Sequence, residues 1–209
     1  MFISFEGIDC CGKTTQVKLL IEKLQSQNRH VVLLREPGGT VISERIREIL
    51  LDKKNSKMIQ ITELLLFSAG RAQLVSEVIK PALLQNKIVI CDRYVDSTTA
   101  YQGYGRGLTL GAVKTINRVA TTDVMPKKTF FIDITVQEMH ERRRAKNHEI
   151  DRMELSNEEF FHRVRNGYLE LAKEEPDRFI VIDGKQPIET IHEEIWKTVE
   201  YLLPEIEEA

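Results

Sequence analysis

Five short apolar runs punctuate the chain: Phe2 to Phe5, Val31 to Leu34, Ile88 to Cys91, Phe130 to Ile132 and Phe179 to Ile182. They do not alternate apolar with polar positions, which predicts strands covered on both faces, as in a parallel sheet. Between them the apolar period changes to that of a helix. Val17, Leu20, Ile21 and Leu24 share one face, and a longer stretch from about Ile61 to Leu84 carries Leu64, Ala72, Val75 and Ile79. Pro81 lies late in that stretch and is expected to kink or end it. Ser156 and Glu159 form an S-x-x-E capping box ahead of Phe160 and Phe161, whose stripe continues through Val164, Tyr168 and Leu171. A last helix opens at Pro187. Strands alternating with helices predict an α/β doubly wound fold. With no repeat, low-complexity tract or linker, residues 1–209 are read as one domain.

Composition narrows the class of ligand. The chain has 209 residues, with Lys plus Arg 30 against Asp plus Glu 32 and a net charge of −2. That balance argues against a general nucleic-acid binder, but a few local arginines suffice for a small anion. Cys10, Cys11 and Cys91 are an odd number, two of them adjacent, so a reducing, cytoplasmic setting is expected. The first residues, MFISFEGID, carry no signal-peptide pattern, and no apolar run reaches membrane-spanning length.

The strongest chemical signal is Gly7-Ile8-Asp9-Cys10-Cys11-Gly12-Lys13-Thr14, which fits G-x-x-x-x-G-K-[ST] between a strand and a helix. Glycines allow the loop to turn tightly, so that successive N–H groups and the helix N-terminus face an anion. Lys13 is placed to bridge the β and γ phosphates of a nucleotide, and Thr14 to offer its hydroxyl to magnesium. Asp92, at the end of the Ile88–Cys91 strand, is the second candidate for organising the metal; the alternative is a strand-terminal Asp capping a turn. Cys10 and Cys11 lack a second ligand pair for a metal site and read as small loop fillers. An N-K-x-D element for guanine is absent, which lowers a GTPase reading.

Three further segments bear on the acceptor: REPGGT from Arg35, LLFSAGRAQ from Leu65, and DRYVDSTTAYQG from Asp92. Each offers an arginine and two offer an aromatic ring, which suits an acceptor with a phosphate and a flat base. Taken alone, Phe67 could be core, and Arg71 and Arg47 solvated helix residues.

At these residues, from FEGIDCCGKTTQ through REPGGT, LLFSAGRAQ and DRYVDSTTAYQGYGRG to DRMELSNEEFFHRVRNGYLELA, the chain resembles the thymidylate kinases, bacterial type. The resemblance covers nearly the whole chain. It implies a P-loop NTPase fold, with a five-stranded parallel sheet, helices on both faces and a short basic lid at about 141–154. It implies transfer of the γ-phosphoryl of ATP to dTMP with Mg2+, in a homodimer with neither nucleic acid nor membrane as partner. By similarity, Gly7, Ile8, Asp9, Cys10, Cys11, Gly12, Lys13, Thr14 and Thr15 hold ATP. Phe67 stacks on thymine, Arg71 bonds a base carbonyl, and Tyr101 lies against the deoxyribose. Gln102 and Ser97 lie near the base edge, Arg93 and Arg47 grip the acceptor phosphate, Asp9 faces the sugar 3′-hydroxyl or the metal region, and Glu36 also binds the acceptor.

The lid segment carries Arg142, Arg143, Arg144, Lys146 and Arg152. A charge run of this kind is often only a solvated face. Some family members place a catalytic arginine in the phosphate loop where this chain has Cys10, so the resemblance transfers that role to the lid, with Arg144, Lys146 and Arg152 as candidates. Gly70 is a second departure, standing where relatives often carry Asp or Ala, and is expected to loosen its helix.

Overall fold

The computed structural model describes residues 1–146 and 151–203, the side chain of Lys146 excepted. Strands β1 (Phe2–Glu6), β2 (Val31–Arg35), β3 (Ile88–Asp92), β4 (Lys128–Asp133) and β5 (Phe179–Asp183) form one sheet in the order β2-β3-β1-β4-β5. Every pairing is parallel. The helices are α1 (Lys13–Ser26), α2 (Val41–Leu51), α3 (Gln60–Leu74), α4 (Lys80–Leu84), α5 (Val95–Thr98), α6 (Leu110–Thr121), α7 (Val136–Lys146), α8 (Glu158–Glu174) and α9 (Ile188–Leu202).

Burial on both faces is visible residue by residue in β3. Ile88 and Ile90 join a core containing Leu20, Phe130 and Ile182, whereas Val89 and Cys91 join a second containing Leu74, Val75 and Ile79. The apolar runs of the two edge strands were expected to be equally covered, and they are not. Leu33 in β2 is 50% exposed and Val181 in β5 is 45% exposed, because an edge strand has a neighbour on one side only.

One long helical stretch keeps its expected end at Leu84 but not its regularity, and one helix cap differs from the expectation. The stretch containing Pro81 neither ends there nor stays uniform: a π turn at Val75–Ile79 precedes α4, which continues to Leu84. A π turn widens the ladder, which suits a proline that can neither donate nor fit beneath the preceding carbonyl. The cap of α8 is Asn157, whose side chain accepts from the Phe160 amide at 3.0 Å. Ser156 instead accepts from Arg106 at 3.2 Å, so the capping register is one residue later than the S-x-x-E pattern predicts.

Register brings the chemistry to one edge. Phe5 and Arg35 both pair with Asp92, and Glu6 pairs with Phe131. The loops leaving β1, β2 and β3 therefore emerge side by side at the carboxyl ends of the strands, where the chain diverges to opposite sides of β1 and open α/β sheets bind their ligands.

Candidate active site

The loop after β1 adopts the conformation its glycines allow. Gly7 has φ 140°, and a Cβ there would lie 2.6 Å from the Ile132 carbonyl oxygen. Gly12, φ 109°, starts α1. Cys10 also lies in the left-handed region at φ 59°, a conformation that costs a residue with a Cβ more than it costs glycine. The Lys13 ammonium donates to the carbonyls of Gly7 at 3.1 Å and Ile8 at 3.2 Å. Thr14 Oγ1 donates to Asp92 Oδ2 at 3.4 Å, so a hydroxyl and a carboxylate stand together at the mouth of the loop. Two hard oxygen donors of this kind suit Mg2+, which keeps several waters and takes substrate phosphate oxygens.

A cavity of about 380 Å³ joins this loop to the acceptor side. Asp9, Cys10, Cys11, Gly12, Lys13, Thr14, Thr15 and Asp92 line one part of it. Glu36, Arg47, Phe67, Arg71, Arg93, Ser97, Tyr101 and Gln102 are also in its wall. Residues from five separate segments thus share one space.

Arg93 is the joint between the two parts. Its backbone is left-handed at φ 73°. Its guanidinium donates to the Gly7 carbonyl at 2.8 Å and to Asp9 at 2.6 Å, and lies 5.1 Å from the Tyr101 ring centroid. Arg71 is almost wholly buried and pairs with Glu36 at 2.6 Å, while donating to Asn117 and the Tyr94 carbonyl. Burial pushes the Glu36 carboxyl up, and the Arg71 cation opposes that shift. Arg47 donates to the Pro37 carbonyl at 2.9 Å; burial, with Arg35 nearby, lowers its pKa. Gln102 donates to Glu63 at 2.9 Å.

Two buried polar atoms in the cavity wall, the Tyr101 hydroxyl and Glu36 Oε1, have no hydrogen-bond partner among the described residues. Buried polar groups are rarely left so, which marks them as contacts for a ligand.

The lid residues divide. Arg152 is committed elsewhere: it pairs with Glu63 at 2.7 Å and donates to the Leu50 carbonyl at 2.6 Å, outside the cavity. Arg144 is exposed and donates, at 3.4 Å, to the His140 carbonyl of its own helix. The Lys146 side chain falls outside the described residues.

The structure adds residues that motif reading did not single out. Arg142 donates to the Gly184 carbonyl at 2.7 Å and to the Cys11 carbonyl at 3.3 Å. Arg143 lies between Asp9 at 3.7 Å and Glu154 at 3.5 Å. Asp151, Met153 and Glu154 close the cavity from the lid side, and burial, with Asp9 and Asp151 nearby, pushes the Glu154 carboxyl up. Glu6 lies fully buried beneath the loop. Its one signal in the sequence is a carboxylate ending an apolar strand.

Comparison with known proteins is consistent along the chain. A family model described as thymidylate kinase matches residues 5–195. A thymidylate kinase of Caldanaerobacter subterraneus subsp. tengcongensis is 51% identical over 202 residues, 97% of this chain and 96% of that one. A thymidylate kinase of Kosmotoga olearia is 52% identical over 204 residues, with 97% and 96% covered. The crystal structure of thymidylate kinase from Ehrlichia chaffeensis superposes with a TM-score of 0.78 at 40% identity, covering 95% of this chain and 98% of that one. The fold is therefore the P-loop NTPase fold, and the chain belongs to the thymidylate kinase family.

Proposed function

We propose that the chain transfers the γ-phosphoryl group of ATP to dTMP, giving ADP and dTDP. The carrying observation is the single cavity that joins the phosphate loop at Lys13 to a slot lined by Phe67, Arg71, Arg93 and Tyr101. In-line transfer needs two bound nucleotides, held charge and excluded water more than covalent chemistry. The loop from Gly7 to Thr15 binds the donor phosphates, with Lys13 on the β and γ groups. Thr14 and Asp92 would hold Mg2+, which supplies further charge neutralisation there.

On the acceptor side Phe67 stacks on the base, Arg71 and Gln102 read its edge, and Tyr101 packs against the deoxyribose. Arg93 and Arg47 align the acceptor phosphate, with Asp9, Glu36 and Ser97 beside them. Residues 1–209 act as one kinase domain, with the lid at about 141–154. Of the lid cations, Arg144 is the least committed of those described, and with Lys146 it is the candidate to cover the migrating phosphoryl group. Arg152 anchors the lid to Leu50 and Glu63.

The test is ADP release with dTMP, dUMP, CMP, AMP and GMP as acceptors. Turnover confined to dTMP supports the assignment. Release independent of any acceptor would point to a nucleotide switch instead.

The chain also works as a homodimer in this proposal. α3 packs against α2 and α6, and the three helices leave apolar side chains outward: Ile42, Ile49, Ile61, Leu65 and Val119. Such a patch on neighbouring helices suits a self-complementary two-fold contact. Sedimentation of the wild type and of Leu65→Glu tests it, with a monomeric wild type as the contrary result. No described helix is long and apolar enough to cross a membrane, and all three cysteines are free, which fits a cytoplasmic enzyme.

A further inference from the structure

Glu6 ends β1 immediately before the phosphate loop, and its carboxylate is completely buried. Three donors converge on it: the Tyr94 amide at 2.7 Å, the Ser97 hydroxyl at 2.6 Å and the Tyr168 hydroxyl at 2.8 Å. The Arg93 guanidinium lies on the far side of those hydroxyls. Its Nη1 donates to Ser97 at 3.3 Å and to Tyr168 at 3.4 Å.

Counting donors makes this arrangement depend on charge. A carboxylate only accepts, so each hydroxyl can give Glu6 its one proton and turn its lone pairs toward Arg93 and toward the other hydroxyl, which lies 2.9 Å away. A neutral carboxyl carries a proton of its own and needs an acceptor for it. The hydroxyl that accepts it must turn its own proton away from Glu6, toward the other hydroxyl 2.9 Å off, so the carboxyl loses a donor and the array facing Arg93 rearranges. The Tyr94 amide bond adds a backbone constraint, because it fixes the residue directly after the left-handed Arg93.

We propose that Glu6 is a positioning residue: ionised, it orders Ser97, Tyr168 and the Tyr94 amide so that Arg93 presents its guanidinium to the acceptor phosphate. This rests on the reading of Arg93 as the grip on that phosphate. Burial, helped by the Asp96 charge, pushes the Glu6 carboxyl up to about 7, against the pull of the two hydroxyls and Arg93. Arg71 and Cys91 also interact with its charge, and Tyr94 reaches it through its backbone amide. Asp96 is itself tied to Arg178 by bonds of 2.7 and 2.8 Å. Cys91, Tyr94, Tyr101 and Tyr168 are all raised by burial and stay neutral near pH 7.

The experiment measures steady-state kinetics of wild type, Glu6→Gln, Glu6→Asp, Tyr168→Phe and Arg93→Ala across the neutral pH range. Taking the ratio of wild type to Glu6→Gln cancels the titration of the substrate phosphates. That ratio, in kcat/KM for dTMP, is expected to rise with pH through about 7. At high pH, Glu6→Gln is expected to raise KM for dTMP by roughly tenfold and leave KM for ATP within about twofold. Glu6→Asp keeps a displaced pH limb. A flat ratio, or equal rises in both KM values, overturns the proposal.

If Glu6→Gln does not fold, Tyr168→Phe decides. Losing one donor to the carboxylate moves the limb to higher pH, and an unmoved limb is contrary. Arg93→Ala with an unchanged KM for dTMP would refute the reading of Arg93, a failure distinct from that of Glu6.

Discussion

The guanidinium of Arg93, at the end of β3, donates to the carboxylate of Asp9 in the phosphate loop across 2.6 Å. This half-buried bond ties the loop that binds the donor to the residue assigned to the acceptor phosphate. Arg93 is thereby oriented by the donor loop itself: Gly7 and Asp9 together accept two of its N–H groups. A misplaced loop would misplace the acceptor, which matters because transfer depends on alignment.

Asp9→Asn is therefore expected to lower kcat/KM for dTMP roughly 10- to 100-fold, the worth of one charge-assisted hydrogen bond of about 1.5–3 kcal/mol. The thermal midpoint should move little, because both side chains are partly exposed. Steady-state kinetics beside a melting curve check this. A large fall in the midpoint with kinetics intact would reverse the interpretation.

Arg71 and Glu36 behave differently, since their side chains are 1% and 5% exposed. Arg71→Ala leaves a carboxylate buried without its cation, at a cost of about 3–5 kcal/mol. Denaturant unfolding should register that loss, so diminished activity in this variant is not a measure of base contact alone. A change under about 1 kcal/mol would mean that Glu36 finds another partner or takes up a proton.

The Tyr101 hydroxyl has no partner among the described residues, while its ring packs edge-on against Phe160 and Tyr168. Tyr101→Phe should leave stability unchanged or raise it slightly, because no hydrogen bond is lost. Tyr101→Ala should admit ribonucleotide acceptors better relative to dTMP. Competition between dTMP and its ribonucleotide counterpart reads this out, and unaltered discrimination removes the role.

Gly70 sits in the interior of α3 facing α2. A Cβ there would meet Ile46 at 3.7 Å and Ser43 at 3.8 Å, ordinary contact distances. The glycine is thus not demanded by space, and its helix carries the usual entropic cost. Gly70→Ala should stabilise the protein by about 0.5–1 kcal/mol with kinetics unchanged. A lower unfolding midpoint would mean that α2 and α3 shift to admit the methyl group.

Glu6 also gives stability a pH dependence. Its carboxyl is higher in the folded chain, about 7, than the ordinary 4.5. Folding therefore disfavours its ionised form, and the folded chain binds the proton that the unfolded chain has released. Relative to Glu6→Gln, stability is greatest below the ordinary value, falls as pH rises through about 7, and then levels off. Urea midpoints of the two proteins on either side of that window test the sign, and a rising difference contradicts it.

Much of this enzyme was legible in contiguous residues. The phosphate loop could be read because its glycines, Lys13 and Thr14 are neighbours in the chain, and strand, turn and helix there are set by local chemistry. The strands were legible as apolar runs, though not their coverage: Leu33 and Val181 look like core and lie half-exposed at the sheet edges. The cap of α8 was misplaced by one residue because Ser156 and Asn157 are both good caps, and Arg106, 50 residues away, takes the serine.

The acceptor side needed the resemblance to relatives, since Phe67 or Arg71 alone cannot be told from core or surface. Arg152 pairs with Glu63 and donates to the Leu50 carbonyl, contacts that its place in a charge run does not announce. By itself, then, the amino-acid order determined the elements, the phosphate cradle and the kind of ligand. Tertiary structure alone decided the long-range partners: Glu36 with Arg71 across 35 positions, Arg93 with Asp9 across 84, and Glu6 with Tyr168 across 162. The reason is physical. Local conformation follows from adjacent side chains, whereas a distant pair depends on strand register and on which helix face turns inward, and only the packed core selects these.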